Sequence, residues 1–428
     1  MNSKKGKGGS MKALVVFAMI AVFQLEVAAE DRLIVTTSDF SSGSLATLSL
    51  ATNQASVNLL NIHSDADARG YLGKVYVVNR EGQDNILVLD GEDLSTPLNQ
   101  FSVGNGTNPH DIAFVSASRA YVSRRASTHL LIVNPSTGDS LGSVDLSFAA
   151  DEDGLPEMKF LSQYQNRLYV TCQRLDRNAF SAPTDRSEVA VIDLTTDTVM
   201  DMDSEQVGIQ GIILQARNPF GGQVRISDRL FISCVGEFSD LTDGGIEVIN
   251  LTTNATEGIQ LGEGELGGNA GALAMLTESI GYIVVSDASF SNSLKTFDLT
   301  TDNTPTPVEG VSGGYIASLG LASGRLYVSD QGISGSVNPG LMVFDAKTGA
   351  FLDGPISTGL PPTHITVLVE ALKSDFTGNR EVNFADFLLF SRAYDNPDVF
   401  DPRFDLTGDG ILDFNDFLEF VKFFGYLG

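Results

Sequence analysis

Between residues 30 and 370 the apolar side chains come in short β-type runs broken by Gly, Asn, Asp and Ser, and amphipathic helical spacing is almost absent. One run keeps returning: "RLIV" (32–35), "VYVV" (75–78), "AYVS" (120–123), "LYVT" (168–171), "LFIS" (230–233), "GYIV" (281–284) and "LYVS" (326–329). Anchored on Ile34, Tyr76, Tyr121, Tyr169, Phe231, Tyr282 and Tyr327, the seven copies lie 42, 45, 48, 62, 51 and 45 residues apart. A second apolar strand follows most of them, ending in Asp or Asn as in "NILVLD", "EVAVID" and "GLMVFD"; then come a turn such as "DLTTD" and a weaker outer strand. The next unit opens on an inner strand, such as "HDIAFV" (110–115), "GIIL" (211–214) or "GALAML" (271–276). This period is that of a four-stranded blade, and seven units predict a mainly β chain folded as a seven-bladed β-propeller over 30–370.

The two ends of the array complement each other. The chain enters at the second strand of its first blade, while "HITVLVE" (364–370) follows the last blade with no partner of its own. That C-terminal strand is expected to become the inner strand of blade one, closing the ring and leaving no sheet edge open.

After residue 370 the period changes. "NFADFLLFSRAY" (383–394) and "DFNDFLEFVKFF" (413–424) place Phe384/Phe387/Leu388 and Phe414/Phe417/Leu418/Val421 at helical spacing. Phe390 and Phe420 stand at equivalent places off that stripe, to pack between the two helices or to form an apolar docking patch. Each helix follows a twelve-residue acidic loop. In "DLTGDGILDFNDFLEF" (405–420), Asp405, Thr407, Asp409, Asp413 and Asp416 occupy positions 1, 3, 5, 9 and 12, with Gly410 at the sharp turn. Position 7, Ile411, offers its carbonyl in this scheme, which is that of an EF-hand calcium loop. The copy "DFTGNREVNFADFLLF" (375–390) offers Asp375, Thr377, Asn379, Glu381, Asn383 and Asp386, with Arg380 in place of the glycine. The second loop has more acids and the proper turn residue, so it is expected to hold Ca²⁺ more strongly. Residues 371–428 thus read as a small α-helical domain made of a duplicated calcium loop and helix.

Composition adds a compartment and removes some partners. Lys4, Lys5, Lys7 and Lys12 precede the apolar run "ALVVFAMIAVF" (13–23) and the small residues "VAA" (27–29), the layout of a signal peptide over 1–29. The run is too short to span a bilayer, so a secreted, extracellular protein without membrane insertion is expected. The formal charge is −27, and −30 once residues 1–29 are removed. Such a chain repels nucleic acid and anionic lipid. Cys172 and Cys234 sit at matching places in two repeats, "LYVTC" and "LFISC", and are expected as buried structural thiols.

The phrasing "RLYVT…EVAVIDLTTD" resembles the YVTN family of propeller repeats, and the resemblance covers essentially all of 30–370. It implies the propeller fold; its members include surface-layer and adhesion proteins, and related seven-bladed lactonases include enzymes. The duplicated loop–helix resembles a type I dockerin module, with Asp at position 12 of both loops. That resemblance implies calcium-dependent docking to a cohesin-like or surface scaffold, with Arg392 and Lys422 at the basic recognition positions. The usual hydroxyl-rich pair is replaced by Phe384–Ala385 and Phe414–Asn415, which puts a standard cohesin partner in doubt.

In a propeller, the loops joining second and third strands share a face with the starts of the inner strands, around the mouth of the channel. Long loops are expected there in blades four (173–187), five (235–245) and seven (331–340), where binding residues usually reside. Blades two to four bring Arg80, Arg124, Arg125, Arg174, Arg177 and Arg186; blades five to seven bring Glu237, Asp240, Asp243, Asp287 and Asp330. The arginine crescent suggests a carboxylate-bearing ligand, an acidic glycan or peptide, and equally suits simple neutralisation of nearby acids. His110, Glu157 and His364 at inner-strand starts are the candidate acid–base set of the alternative reading, a dockerin-borne carbohydrate-active or lactonase-like hydrolase. The absence of tryptophan argues against tryptophan sugar platforms.

Overall fold

The computed structural model describes residues 31–179, 182–205, 208, 210–301, 304–368, 373–377, 382–394, 401–407 and 410–425. The export segment expected over 1–29 lies outside them, as do Asn379, Glu381 and Asp409 of the acidic loops. No helix among the described residues is long and apolar enough to cross a membrane.

Seven antiparallel sheets of the predicted kind form the seven-bladed propeller. Their inner strands are Pro362–Leu368, Ala66–Tyr71, Pro109–Ser116, Met158–Tyr164, Gly222–Ile226, Asn269–Met275 and Ile316–Ala322. Each touches the next around a closed circuit, with Pro362–Leu368 in contact with both Ile316–Ala322 and Ala66–Tyr71. The closing strand pairs antiparallel with Arg32–Ser38, placing Thr366 opposite Ile34 and His364 opposite Thr36. It is also tied sideways: Ile365 N donates to Ser318 Oγ of blade seven at 3.1 Å, and Thr366 Oγ1 donates to Ala68 O of blade two at 2.6 Å.

The seven anchor residues are all buried. Three of the five tyrosines among them share one arrangement beside a turn of the next blade. Tyr121 of blade three donates to Asp197 in the turn of blade four. Tyr169 of blade four donates to Asn254 Oδ1 of blade five (2.6 Å), and Tyr282 of blade six to Ala346 O of blade seven (2.9 Å). The ring fills the space between blades while its hydroxyl satisfies a turn of the next one. Cys172 and Cys234 are separate buried thiols.

One inner strand differs from expectation. "GIIL" (211–214) does not line the channel: Ile212–Ile213 pairs with Glu188–Asp193 on the outer side of blade four. The inner strand of blade five is Gly222–Ile226, "GQVRI". Ile212 and Leu214 are apolar on successive inward positions and pack into the core between blades four and five, whereas an inner strand faces the wet channel on one side. The polar GQVRI fits that lining, and the displaced run accounts for the long interval of 62 residues.

The C-terminal segment contains two helices, Phe384–Tyr394 and Phe414–Phe423. Phe390 and Phe420, off the sequence stripe, are the buried pair; their rings stack at 5.5 Å beside Phe404 and Phe376. Of the sequence stripe, Phe384, Leu388, Phe414, Leu418 and Val421 are exposed, while Phe387 and Phe417 are half-buried against that cluster. This end of the chain touches the propeller: Arg225 NH1 of blade five donates to Thr377 O at 3.3 Å, and Phe423 packs on the core between blades seven and one.

Candidate functional site

Register fixes what meets at the channel mouth. Ala66 pairs with Asn79, Pro109 with Arg124 and Met158 with Cys172, so inner-strand starts and second-to-third loops share one face. Four inner strands contribute a polar network there. Asp67 accepts from Arg69 NH1 (3.2 Å), Arg80 NH2 (2.9 Å) and His364 Nε2 (2.9 Å). Arg69 Nε also meets Asp111 Oδ1 at 2.8 Å, and the other Asp111 oxygen accepts Leu161 N of blade four at 2.9 Å. Burial alone would raise Asp67, but His364, Arg69 and Arg80 overcome it and hold its carboxyl well below the usual range.

The arginines of the crescent differ in their partners. Arg174 is buried and builds its own loop, donating to Ala149 O and Ala150 O at 2.8 and 2.7 Å and pairing with Asp185. Arg186 pairs with Asp185 and Glu188. Arg124 donates to His129 O and Val103 O, Arg80 pairs with Asp65 and Asp67, and Arg177 pairs with Glu157 at 3.2 Å. Among the described residues the Arg125 guanidinium has neither hydrogen-bond nor ion-pair partner. The carboxylates of blades five to seven are likewise engaged: Asp287 accepts Ser289 N and Ser291 N, Asp330 accepts Ser312 N and Gly332 N, and Asp243 accepts Glu237 N and pairs with Arg217.

Sequence reasoning missed Lys159. Its residue is buried, and its ammonium donates to Phe220 O at 2.7 Å, lying 3.7 Å from the Phe220 ring centre and 4.8 Å from that of Phe160. Among the described residues no carboxylate pairs with it. Burial, then the nearby Arg80 and Arg125, push its pKa well below the ordinary lysine value. The same groups act on His110, whose pKa is lowered by burial and by Arg80, Lys159 and Arg125. His110 Nδ1 is buried without a hydrogen-bond partner. The signal was a lone lysine inside the apolar start of an inner strand, "MKF". The result is a group of basic side chains, Arg80, Arg125 and Lys159, within electrostatic reach of one another, a setting suited to an anion.

Glu157 stands apart from the two histidines, and no hydrogen bond joins any two of His110, Glu157 and His364 among the described residues. It is fully buried at φ 46°, its Oε2 accepting Leu175 N at 3.0 Å. Asp151 and Asp153 lie beside it, each offering an oxygen within 4.8 Å of the others, and Arg177 supplies counter-charge. Burial pushes the Glu157 carboxyl up to about 7, with Asp153 and Asp151 adding to the rise and Leu175 N and Arg177 opposing it. A raised folded value means the folded state holds the proton more tightly, so stability is lost as pH climbs from the unfolded carboxyl range through about 7. Glu157→Gln cannot ionise. Its unfolding free energy is expected to be flatter than that of the unmodified protein between pH 5 and 8, by up to about 3 kcal/mol. Urea titrations at several pH values check this.

The acidic loops share one hydrogen-bond scheme. Asp386 accepts Thr377 N (2.8 Å) and Asn383 N (2.9 Å); Asp416 accepts Thr407 N (3.0 Å) and Asp413 N (2.7 Å). Position 12 therefore ties positions 3 and 9 together in both copies. Asp405 Oδ2 accepts Gly410 N at 2.7 Å, with Gly410 at φ 83° as the turn requires. Asp386 and Asp416 are fully buried with no basic side chain against them among the described residues. An uncompensated buried carboxylate is costly, and a hard divalent cation held by oxygen donors is a fitting counter-charge. Asp375, Thr377 and Asp386, and Asp405, Thr407, Ile411, Asp413 and Asp416, are the described residues that would hold it. Arg392 is exposed, and Lys422 pairs with Glu419 at 2.6 Å.

No protein-family model matches this chain. No curated protein matches it significantly. Among solved structures it is similar to a "putative 6-phosphogluconolactonase" from Bacteroides fragilis, at 11% identity and TM-score 0.56 over 80% of this chain and 99% of that one. It is also similar to a protein from Lactobacillus plantarum, at 16% identity and TM-score 0.53 over 79% of this chain and 100% of the other. At these identities the likeness is one of fold, the seven-bladed propeller.

Proposed function

We propose that this chain is an exported binding protein: a propeller that takes a carboxylate-bearing ligand at its channel mouth, tethered by a calcium-binding C-terminal module to a scaffold or cell surface. The observation that carries the tethering half is the twice-used loop scheme, in which a buried position-12 aspartate without a basic partner gathers the N–H groups of positions 3 and 9. The partner face would be the exposed Phe384, Leu388, Phe414, Leu418 and Val421, beside a groove of about 210 Å³ lined by Phe387, Tyr394 and Phe417. Arg392 and Lys422 flank that face in the dockerin-like reading. The binding half is favoured over the hydrolase alternative because no hydrogen bond joins His110, Glu157 or His364 to one another among the described residues, while the Arg125 guanidinium and the Lys159 ammonium have no carboxylate partner there. The lactonase-like relative shares only the fold.

Calcium titration of the secreted chain after chelation tests the module. Micromolar to millimolar calcium is expected to raise the unfolding temperature of the C-terminal transition and to release heat on binding. Asp405→Ala is expected to weaken that response at least tenfold. An unchanged denaturation profile with and without calcium would remove the tethering reading.

A further inference from the structure

Beside its cationic groups, the same face carries exposed apolar side chains, with Phe238 packed edge-on against the Phe220 ring that Lys159 touches. Phe40 of blade one is 74% exposed, Phe290 of blade six 69%, Tyr315 49%, Phe238 of blade five 45% and Ile333 of blade seven 43%. Scattered apolar residues need no explanation, but two of these are strained as well as exposed. Phe40 has φ 67° and Phe290 φ 60°, in the left-handed region that aromatic residues avoid. Among the described residues the other left-handed non-glycine positions are polar, as at Asn53, Asn108, Asn218 and Asn254, with Leu72 the one exception. Neither burial nor backbone preference calls for phenylalanine at these two tips.

Both tips are held in place. Asp39 accepts Ser41 N and Ser42 N at 2.9 and 2.7 Å, and Asp287 accepts Ser289 N and Ser291 N at 2.8 and 2.9 Å. Presenting an apolar ring on a prebuilt loop lowers the ordering cost of binding. We propose that these exposed apolar residues seat the apolar side chains of a polypeptide whose acidic residue enters the mouth between Arg125 and Lys159. The inference rests on the reading that the mouth takes a carboxylate. It selects polypeptide over acidic glycan on chemistry. Phenylalanine and isoleucine offer no polar atom to replace the water that sugar hydroxyls would surrender, whereas aliphatic and aromatic side chains gain by leaving water.

The test compares three probes by fluorescence anisotropy at low salt: a random glutamate–tyrosine copolymer, poly-glutamate and an oligogalacturonate. The copolymer is expected to bind at least tenfold more tightly than poly-glutamate. Combined Phe40→Asn and Phe290→Asn should abolish that advantage, leave poly-glutamate binding unchanged and keep or raise the unfolding temperature, because asparagine accepts the left-handed backbone. Equal binding of the two polypeptides, or an advantage untouched by the double variant, overturns the apolar seat. Tightest binding by the oligogalacturonate replaces the polypeptide with a glycan. Failure of all three probes instead removes the carboxylate reading beneath it.

Discussion

Replacing Ile365 with aspartate is expected to abolish cooperative folding of the propeller. Ile365 is buried in the closing strand, in the core shared by blades seven and one. It fits against the bare backbone of Gly320, where a Cβ would stand 2.7 Å from Ile365 Cγ2. Losing the side chain costs about 2–5 kcal/mol, and an unpaired buried carboxylate adds several more. Together these approach the whole stability of a domain, about 5–15 kcal/mol. The substitution also opens the circuit, exposing the edge of Arg32–Ser38. Ile365→Val, by contrast, should cost only about 1 kcal/mol. Denaturant unfolding followed by circular dichroism checks both; a native-like midpoint for the aspartate variant would mean that closure does not hold the ring.

Lys159→Met is expected to raise stability and to lower affinity for poly-glutamate at least tenfold, about 1.4 kcal/mol. The lysine holds its ammonium against Phe220 with two arginines in electrostatic reach and no carboxylate partner among the described residues. Removing a desolvated cation recovers about 1–4 kcal/mol, against about 1 kcal/mol for the bond to Phe220 O. A gain in stability joined to a loss of binding is the mark of a residue kept for a ligand rather than for the fold. A destabilised variant with undiminished binding would make Lys159 structural.

The legible parts of this molecule are those set by period. Tyr121, Tyr169 and Tyr282 recur because each fills a gap between blades and satisfies the next turn, so the repeat could be counted from the chain alone. The closing strand was legible for the same reason: an apolar strand was left over at one end and missing at the other. The blade-five inner strand was not, because "GIIL" looks more like a core strand than "GQVRI" does. Hydropathy could not distinguish a strand facing water in a channel from a loop. In the C-terminal helices, period placed Phe384 and Phe414 in a stripe, while packing buried Phe390 and Phe420 instead. A short helix pair has room to turn either face inward.

The seven-fold repeat, the ring closure and the spacing of two acidic loops follow from the chain alone, since they depend on residue type at fixed intervals. Which charges are paired follows from the folded arrangement of the blades. Arg174 and Arg125 look equivalent in the chain, yet the guanidinium of one is bound to Ala149 O and Ala150 O while that of the other has no hydrogen-bond or ion-pair partner among the described residues. Pairing depends on distances between blades tens of residues apart, which local pattern does not encode. The same distances set the Lys159 ammonium, from an inner strand, against Phe220 O with no carboxylate partner among the described residues.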